Sequence, residues 1–136
     1  LVLTSLIVAS GSIQASSWDQ VAQTPDSRST YFVDYSRITK TPKGFKIWSI
    51  VNDETPDPKL HTLSISYFLE VNCDESKEQY SSLNGYAGHM AMGDILFSIN
   101  EPSEWFDVKP GSVVDDRLKA ICQTAPEVIR KHGVMY

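Results

Sequence analysis

LSISYFLEVNC, residues 63–73, alternates with period two. Leu63, Ile65, Tyr67, Leu69, Val71 and Cys73 take one side, and Ser64, Ser66, Phe68, Glu70 and Asn72 take the other. Successive side chains of a strand point to opposite faces, so the pattern predicts a strand with one packed face and one mostly wet face. A strand of that length extends about 36 Å at the usual rise, which predicts that it bends or twists around its core. Cys73 falls on the packed side.

Shorter strands flank this one. Trp18 to Thr24 is a first strand, closed by the turn chemistry of Thr24-Pro25-Asp26-Ser27. Tyr31 to Tyr35 follows, with Tyr31, Val33 and Tyr35 on one face. Thr41-Pro42-Lys43-Gly44 sets Pro and Gly where a tight turn wants them, and Phe45 to Val51 returns as the hairpin partner. Asn52 to Lys59, with Pro56 and Pro58, is a loop. Beyond the long strand, Glu78 to Gly88, Leu96 to Asn100 and Trp105 to Val108 read as further extended pieces, with a loop at Gly88 to Asp94.

A helix begins after Pro110-Gly111. Ser112 is its N-cap, with Asp115 three residues later in a capping-box position. Asp115 and Asp116 lie in the first turn, where the helix dipole favours negative charge. Val114, Leu118, Ile121, Cys122 and Ala125 share one face at helical spacing. Pro126 ends this helix or begins a short turn up to His132-Gly133, and Val134 to Tyr136 fray. The expected fold is mainly β: a curved antiparallel sheet of about six strands with one C-terminal helix packed on it.

The chain has two cysteines, and both fall on packed faces. One strand and one helix facing a common core is the geometric precondition for a Cys73–Cys122 bridge. The first fifteen residues, LVLTSLIVASGSIQA, have the apolar stretch and small-residue end of a secretory signal that lacks its first few residues. They are too short and too interrupted to span a membrane, which takes about 20 apolar residues. Cleavage after Ala15 leaves one domain over 16–125 and a short tail over 126–136. An exported chain meets an oxidising compartment, periplasmic or extracellular, where a bridge persists.

The formal net charge of −5 argues against nucleic acid and against anionic lipid as partners, since both need a concentrated basic surface. No residue pattern points to catalysis. His61, His89 and His132 are isolated, no G-x-S-x-G elbow occurs, and Asp115-Asp116 point about 100° apart on a helix, which suits capping better than acid–base work. The cluster His89, Met90 and Met92 carries donors that suit Cu(I), although methionines at a hairpin tip more commonly tuck back onto the sheet. No cofactor is expected. Trp48, Phe68 and Tyr86 put large aromatic groups on the nominally wet side of the sheet. Either a second layer covers them or they mark a binding surface.

In order along the chain stand Trp18, Tyr31-Phe32-Val33-Asp34 with Ser36 and Ile38, Gly44-x-Lys46-x-Trp48, and Cys73. Trp105-x-x-Val108-x-Pro110-Gly111-Ser112 and Cys122 complete the series. It resembles the surface-adhesin protein E-like family of small secreted proteins from Gram-negative bacteria. The resemblance implies a curved antiparallel sheet with a C-terminal helix bridged to it. It also implies a non-enzymatic role in binding a protein partner of the host extracellular-matrix type. The alternative is a periplasmic carrier or sensor of a small ligand, haem or a metal, held in the hollow of the sheet.

Overall fold

The computed structural model describes residues 17–132. The signal segment, its cleavage point after Ala15 and the fraying end at Val134 to Tyr136 lie outside the described residues. Six antiparallel strands form one meander: β1 (Asp19–Gln23), β2 (Ser29–Lys40), β3 (Gly44–Asp53), β4 (Ser64–Asn72), β5 (Lys77–Tyr86) and β6 (Ile95–Ile99). The two-residue β7 (Phe106–Asp107) pairs with the start of β5, in line with β6 on the same side of that strand. The helix α1 (Val113–His132) follows. This is the curved antiparallel sheet with a C-terminal helix that the sequence predicts.

Turn chemistry sets the meander. Between β1 and β2, Asp26 Oδ1 accepts the Thr24 hydroxyl at 2.7 Å and the Arg28 N–H at 3.0 Å. Between β2 and β3, Thr41 and Gly44 exchange backbone hydrogen bonds. Only glycine fits there, because a Cβ on Gly44 would fall 1.9 Å from the Val71 carbonyl oxygen of β4. Asn72 Oδ1 accepts the Glu75 N–H at 3.0 Å and closes the turn into β5.

Val33, Ile47, Leu69 and Val71 project from neighbouring strands onto one face, where Leu118, Ile121 and Ala125 of α1 meet them. Each Val, Leu or Ile buried in this way stabilises the fold by about 1.5–3 kcal/mol over leaving it exposed. Tyr35 also reaches the helix, its hydroxyl donating to the Ala120 carbonyl at 3.1 Å. At the start of α1, the Asp115 N–H donates to Ser112 Oγ at 3.1 Å, as an N-cap requires. The reciprocal bond of the box goes one residue further back, from the Gly111 N–H to Asp115 Oδ2 at 3.0 Å. Cys122 is joined to Cys73 with Cα atoms 5.9 Å apart, which clamps the middle of α1 to the end of β4.

Two sequence expectations need correction. Pro126 does not end the helix but lies inside it. Its missing N–H costs one helical bond, to the Cys122 carbonyl, and the turns beyond it are held by Val128 and Ile129 packing on the core. The second correction concerns the wet face of the long strand. Ser64 and Ser66 are buried, and so is Ile50 on the same side of β3. The cause is the segment after β5, which folds back over that end of the sheet.

Candidate functional site

The 88–92 segment latches onto the sheet through its backbone. Ser64 Oγ donates to the Gly88 carbonyl at 2.6 Å and accepts the Ala91 N–H at 2.8 Å, while Asn52 Oδ1 accepts the Met90 N–H at 2.7 Å. A single 3-10 turn at His89–Ala91 makes this possible, with Met90 and Ala91 both at positive φ. His89 is exposed, Met90 half-buried and Met92 67 % exposed. Among the described residues no three of His, Cys, Asp and Glu group together as a metal site. The segment acts through its main chain as a cover for one end of the sheet.

Further along the same face, no backbone latch of this kind is present among the described residues. Trp48 of β3 and Phe68 of β4 sit directly opposite each other, their ring centroids 4.8 Å apart. Arg37 lies 5.7 Å from the Trp48 ring and 5.8 Å from the Trp18 ring, and Lys46 Nζ lies 5.9 Å from the Phe68 ring. The row is therefore Trp18, Arg37, Trp48, Phe68 and Lys46, a stacked aromatic pair with a cation against each outer face.

An irregularity in β2 builds this row. Asp34 pairs with Trp48 and Thr39 with Lys46, so Tyr35 to Ile38 stand opposite Ile47 alone. The excursion carries Arg37 across Trp48. Asp34, fully buried, holds it there by accepting Arg37 Nε at 2.7 Å and the Ser36 N–H at 2.9 Å. Trp48 and Phe68 are half-buried and Arg37 is exposed. Tyr86 shares this side of the sheet but stands opposite Ser64, four residues along β4 from Phe68 and about 13 Å away at the usual rise. The structure thus joins two of the three expected aromatic residues and separates the third.

The helix-covered face contains a charged centre that sequence reasoning missed. Arg117 of α1 and Glu78 of β5 are both sealed from solvent, with Nη2 donating to Oε1 at 2.9 Å. Nη1 donates to Ser49 Oγ at 3.2 Å. The Tyr31 and Tyr67 rings lie 5.2 and 5.8 Å from the guanidinium, and Tyr80 packs on Tyr67 at 4.7 Å. Burial pushes the phenols of Tyr31, Tyr67 and Tyr80 above their ordinary value. No ligand reaches a pair enclosed in this way, so its role is to fix the helix on the sheet. Its signal in the sequence was position: Arg117 lies between Val114 and Ile121 on the apolar stripe of the helix. α1 packs its apolar stripe on the face of the sheet that carries Val33, Ile47 and Leu69.

A family model described as surface-adhesin protein E matches residues 18–123. No curated protein matches the chain. Among solved structures, crystal form II of Haemophilus influenzae protein E is 16 % identical with a TM-score of 0.60, over 88 % of this chain and 97 % of that one. Another Haemophilus influenzae protein E structure is 14 % identical with a TM-score of 0.59, over 89 % and 94 %. The selenomethionine form of that protein is 16 % identical with a TM-score of 0.55, over 81 % and 93 %. At these identities the solved structures speak for the fold, and the family model speaks for descent: the chain belongs to the surface-adhesin protein E family.

Proposed function

We propose that this protein is an exported, non-enzymatic adhesin that holds a host extracellular-matrix protein against the uncovered end of its sheet. The observation that carries this reading is the stacked Trp48–Phe68 pair with Arg37 and Lys46 beside it, on the face opposite α1. Aromatic rings with arginine are the groups that dominate protein–protein recognition, because they bury much area at low entropic cost. Arg37 is paired with Asp34 and Lys46 stands opposite Glu70, so the patch offers aromatic faces flanked by cations without a net charge of its own, which suits an aromatic or apolar partner surface. The Cys73–Cys122 bridge supports export, since such bonds persist in oxidising compartments. The signal-like leader and the family support the same placement, at the cell surface or in the periplasm.

Surface-binding measurements on immobilised matrix proteins test this function, with an unrelated exported protein of similar charge as control. Saturable binding above the control is expected. Binding no higher than the control would remove the adhesin reading. Protease shaving of intact cells tests the location, with loss of the protein expected when it is displayed outside.

A further inference from the structure

The two edges of the sheet are built differently. The β1 edge is polar, carries Asp19, shifts register between Gln20 and Ala22, and has α1 packed beside it. These are the features by which proteins keep edge strands from pairing. The β6 edge reads Ile95-Leu96-Phe97-Ser98-Ile99, without a charge or a proline, and among the described residues β6 pairs only with β5. Ile95 is 58 % exposed, Leu96 45 % and Ile99 48 %. A shift in register at Leu96 leaves Ile95 and Leu96 next to each other and both in solvent.

The strand is nevertheless firmly seated. The Phe97 ring lies over Gly85 of β5, where a Cβ would come within 2.3 Å of it, and Ser98 Oγ donates to Asn84 Oδ1 at 2.6 Å. A rigid strand with an apolar outer side and an unoccupied row of backbone groups is a template for one more strand.

Charge chooses the occupant. Asp94 precedes β6, and Glu101 and Glu104 follow it; all three are exposed, and none belongs to an ion pair among the described residues. A second copy paired antiparallel about Phe97 sets Ile95 against Ile99. It also brings Asp94 of each copy beside Glu101 of the other, at both ends of the pair. Like charges at such positions oppose pairing. A strand with an apolar centre and basic ends meets Ile95 and Ile99 in its middle and carboxylates at its ends.

We infer that the outer edge of β6 captures an extended segment of the protein partner, apolar at its centre and bracketed by Lys or Arg, as an added strand. This rests on the reading that the chain binds a protein, and it names the recognised segment.

The test uses three synthetic ten-residue peptides of alternating Val and Thr: one with lysines at both ends, one with glutamates, and a lysine-ended one N-methylated at alternate amides. Expected are saturable binding of the first to the full chain, slower amide exchange at Phe97 to Ile99, and affinity weaker by about tenfold or more for the other two. Leu96→Lys and Ile99→Lys, both exposed and checked for unchanged thermal unfolding, are each expected to weaken the lysine-ended peptide similarly. Equal binding of the N-methylated peptide, or none of the lysine-ended one, overturns the inference. So does a concentration-dependent dimer that Ile99→Lys dissolves, which makes the second copy the occupant. If matrix protein binds wild type and both variants alike, the edge proposal fails while the adhesin reading stands. If matrix protein binds neither wild type nor variants, the adhesin reading fails.

Discussion

Arg117 of α1 donates to Glu78 of β5 at 2.9 Å with both side chains closed off from water, and this one contact ties the first turns of the helix to the far half of the sheet. Glu78 Oε2 and Arg117 Nε have no hydrogen-bond partner among the described residues, so the pair is incompletely satisfied. Such a pair contributes less to net stability than its geometry implies, yet it is costly to break.

Arg117→Leu is expected to lower the unfolding free energy by about 3–5 kcal/mol, because it leaves the Glu78 carboxylate buried and uncompensated. The double variant Arg117→Leu/Glu78→Leu is expected to recover much of that loss. Urea denaturation of the wild type, both single variants and the double variant reads this directly. A double variant as unstable as the sum of the singles would show that the two residues act separately.

Stability should depend on pH through two carboxyls with opposite signs. Burial pushes the Glu78 carboxyl above its usual range, although Arg117 pulls it back. A carboxyl whose folded pKa exceeds its unfolded one adds stability below the unfolded value and loses it as pH rises through the folded value. Wild type should therefore gain on Glu78→Gln as the solution is acidified from neutral toward about pH 4. The Gly111 N–H and the Lys119 ammonium hold Asp115 below its usual range. Its contribution is present above the ordinary carboxylate pKa and fades as pH falls through the folded value, so the advantage of wild type over Asp115→Asn should shrink in acid. Unfolding curves across a pH series check both; parallel curves for wild type and Glu78→Gln would contradict the first.

Cys73 and Cys122 stand 49 residues apart in sequence, so their bond removes a long loop from the unfolded chain. The chain-entropy model gives about 4 kcal/mol for a loop of this size. Cys73→Ala/Cys122→Ala should lose stability of that order, seen as a lower urea midpoint with an otherwise native far-ultraviolet spectrum. A midpoint unchanged from wild type would show that the helix needs no clamp.

The antiparallel sheet, the bridge and the helix were legible in the sequence because each has a local signature. These are period two in residues 63–73, Pro42 and Gly44 at a turn, Ser112 and Asp115 at a cap, and two cysteines on apolar faces. What was not legible depends on contacts between distant residues. The burial of Ser64 and Ser66 follows from the 88–92 segment folding back, and no periodicity within β4 encodes a cover that arrives from elsewhere. Glu78 looks like a surface charge until β5 is placed beside β4, where it stands opposite the buried Val71. Pro126 carries the usual signal for a helix end, and tertiary packing of Val128 and Ile129 overrides it. Of the proposed binding surface, Trp48 and Phe68 were visible as aromatic residues on the polar side. Arg37 was not, because only the irregularity in β2 brings it to Trp48.

Hydroxyl-radical footprinting of the complex with a captured matrix protein tests the claim that the uncovered end of the sheet is the binding surface. Oxidation of Trp48 and Phe68 is expected to fall on binding while that of Leu60, exposed in the loop between β3 and β4, stays unchanged. Undiminished oxidation of Trp48 and Phe68 in a saturated complex would contradict it.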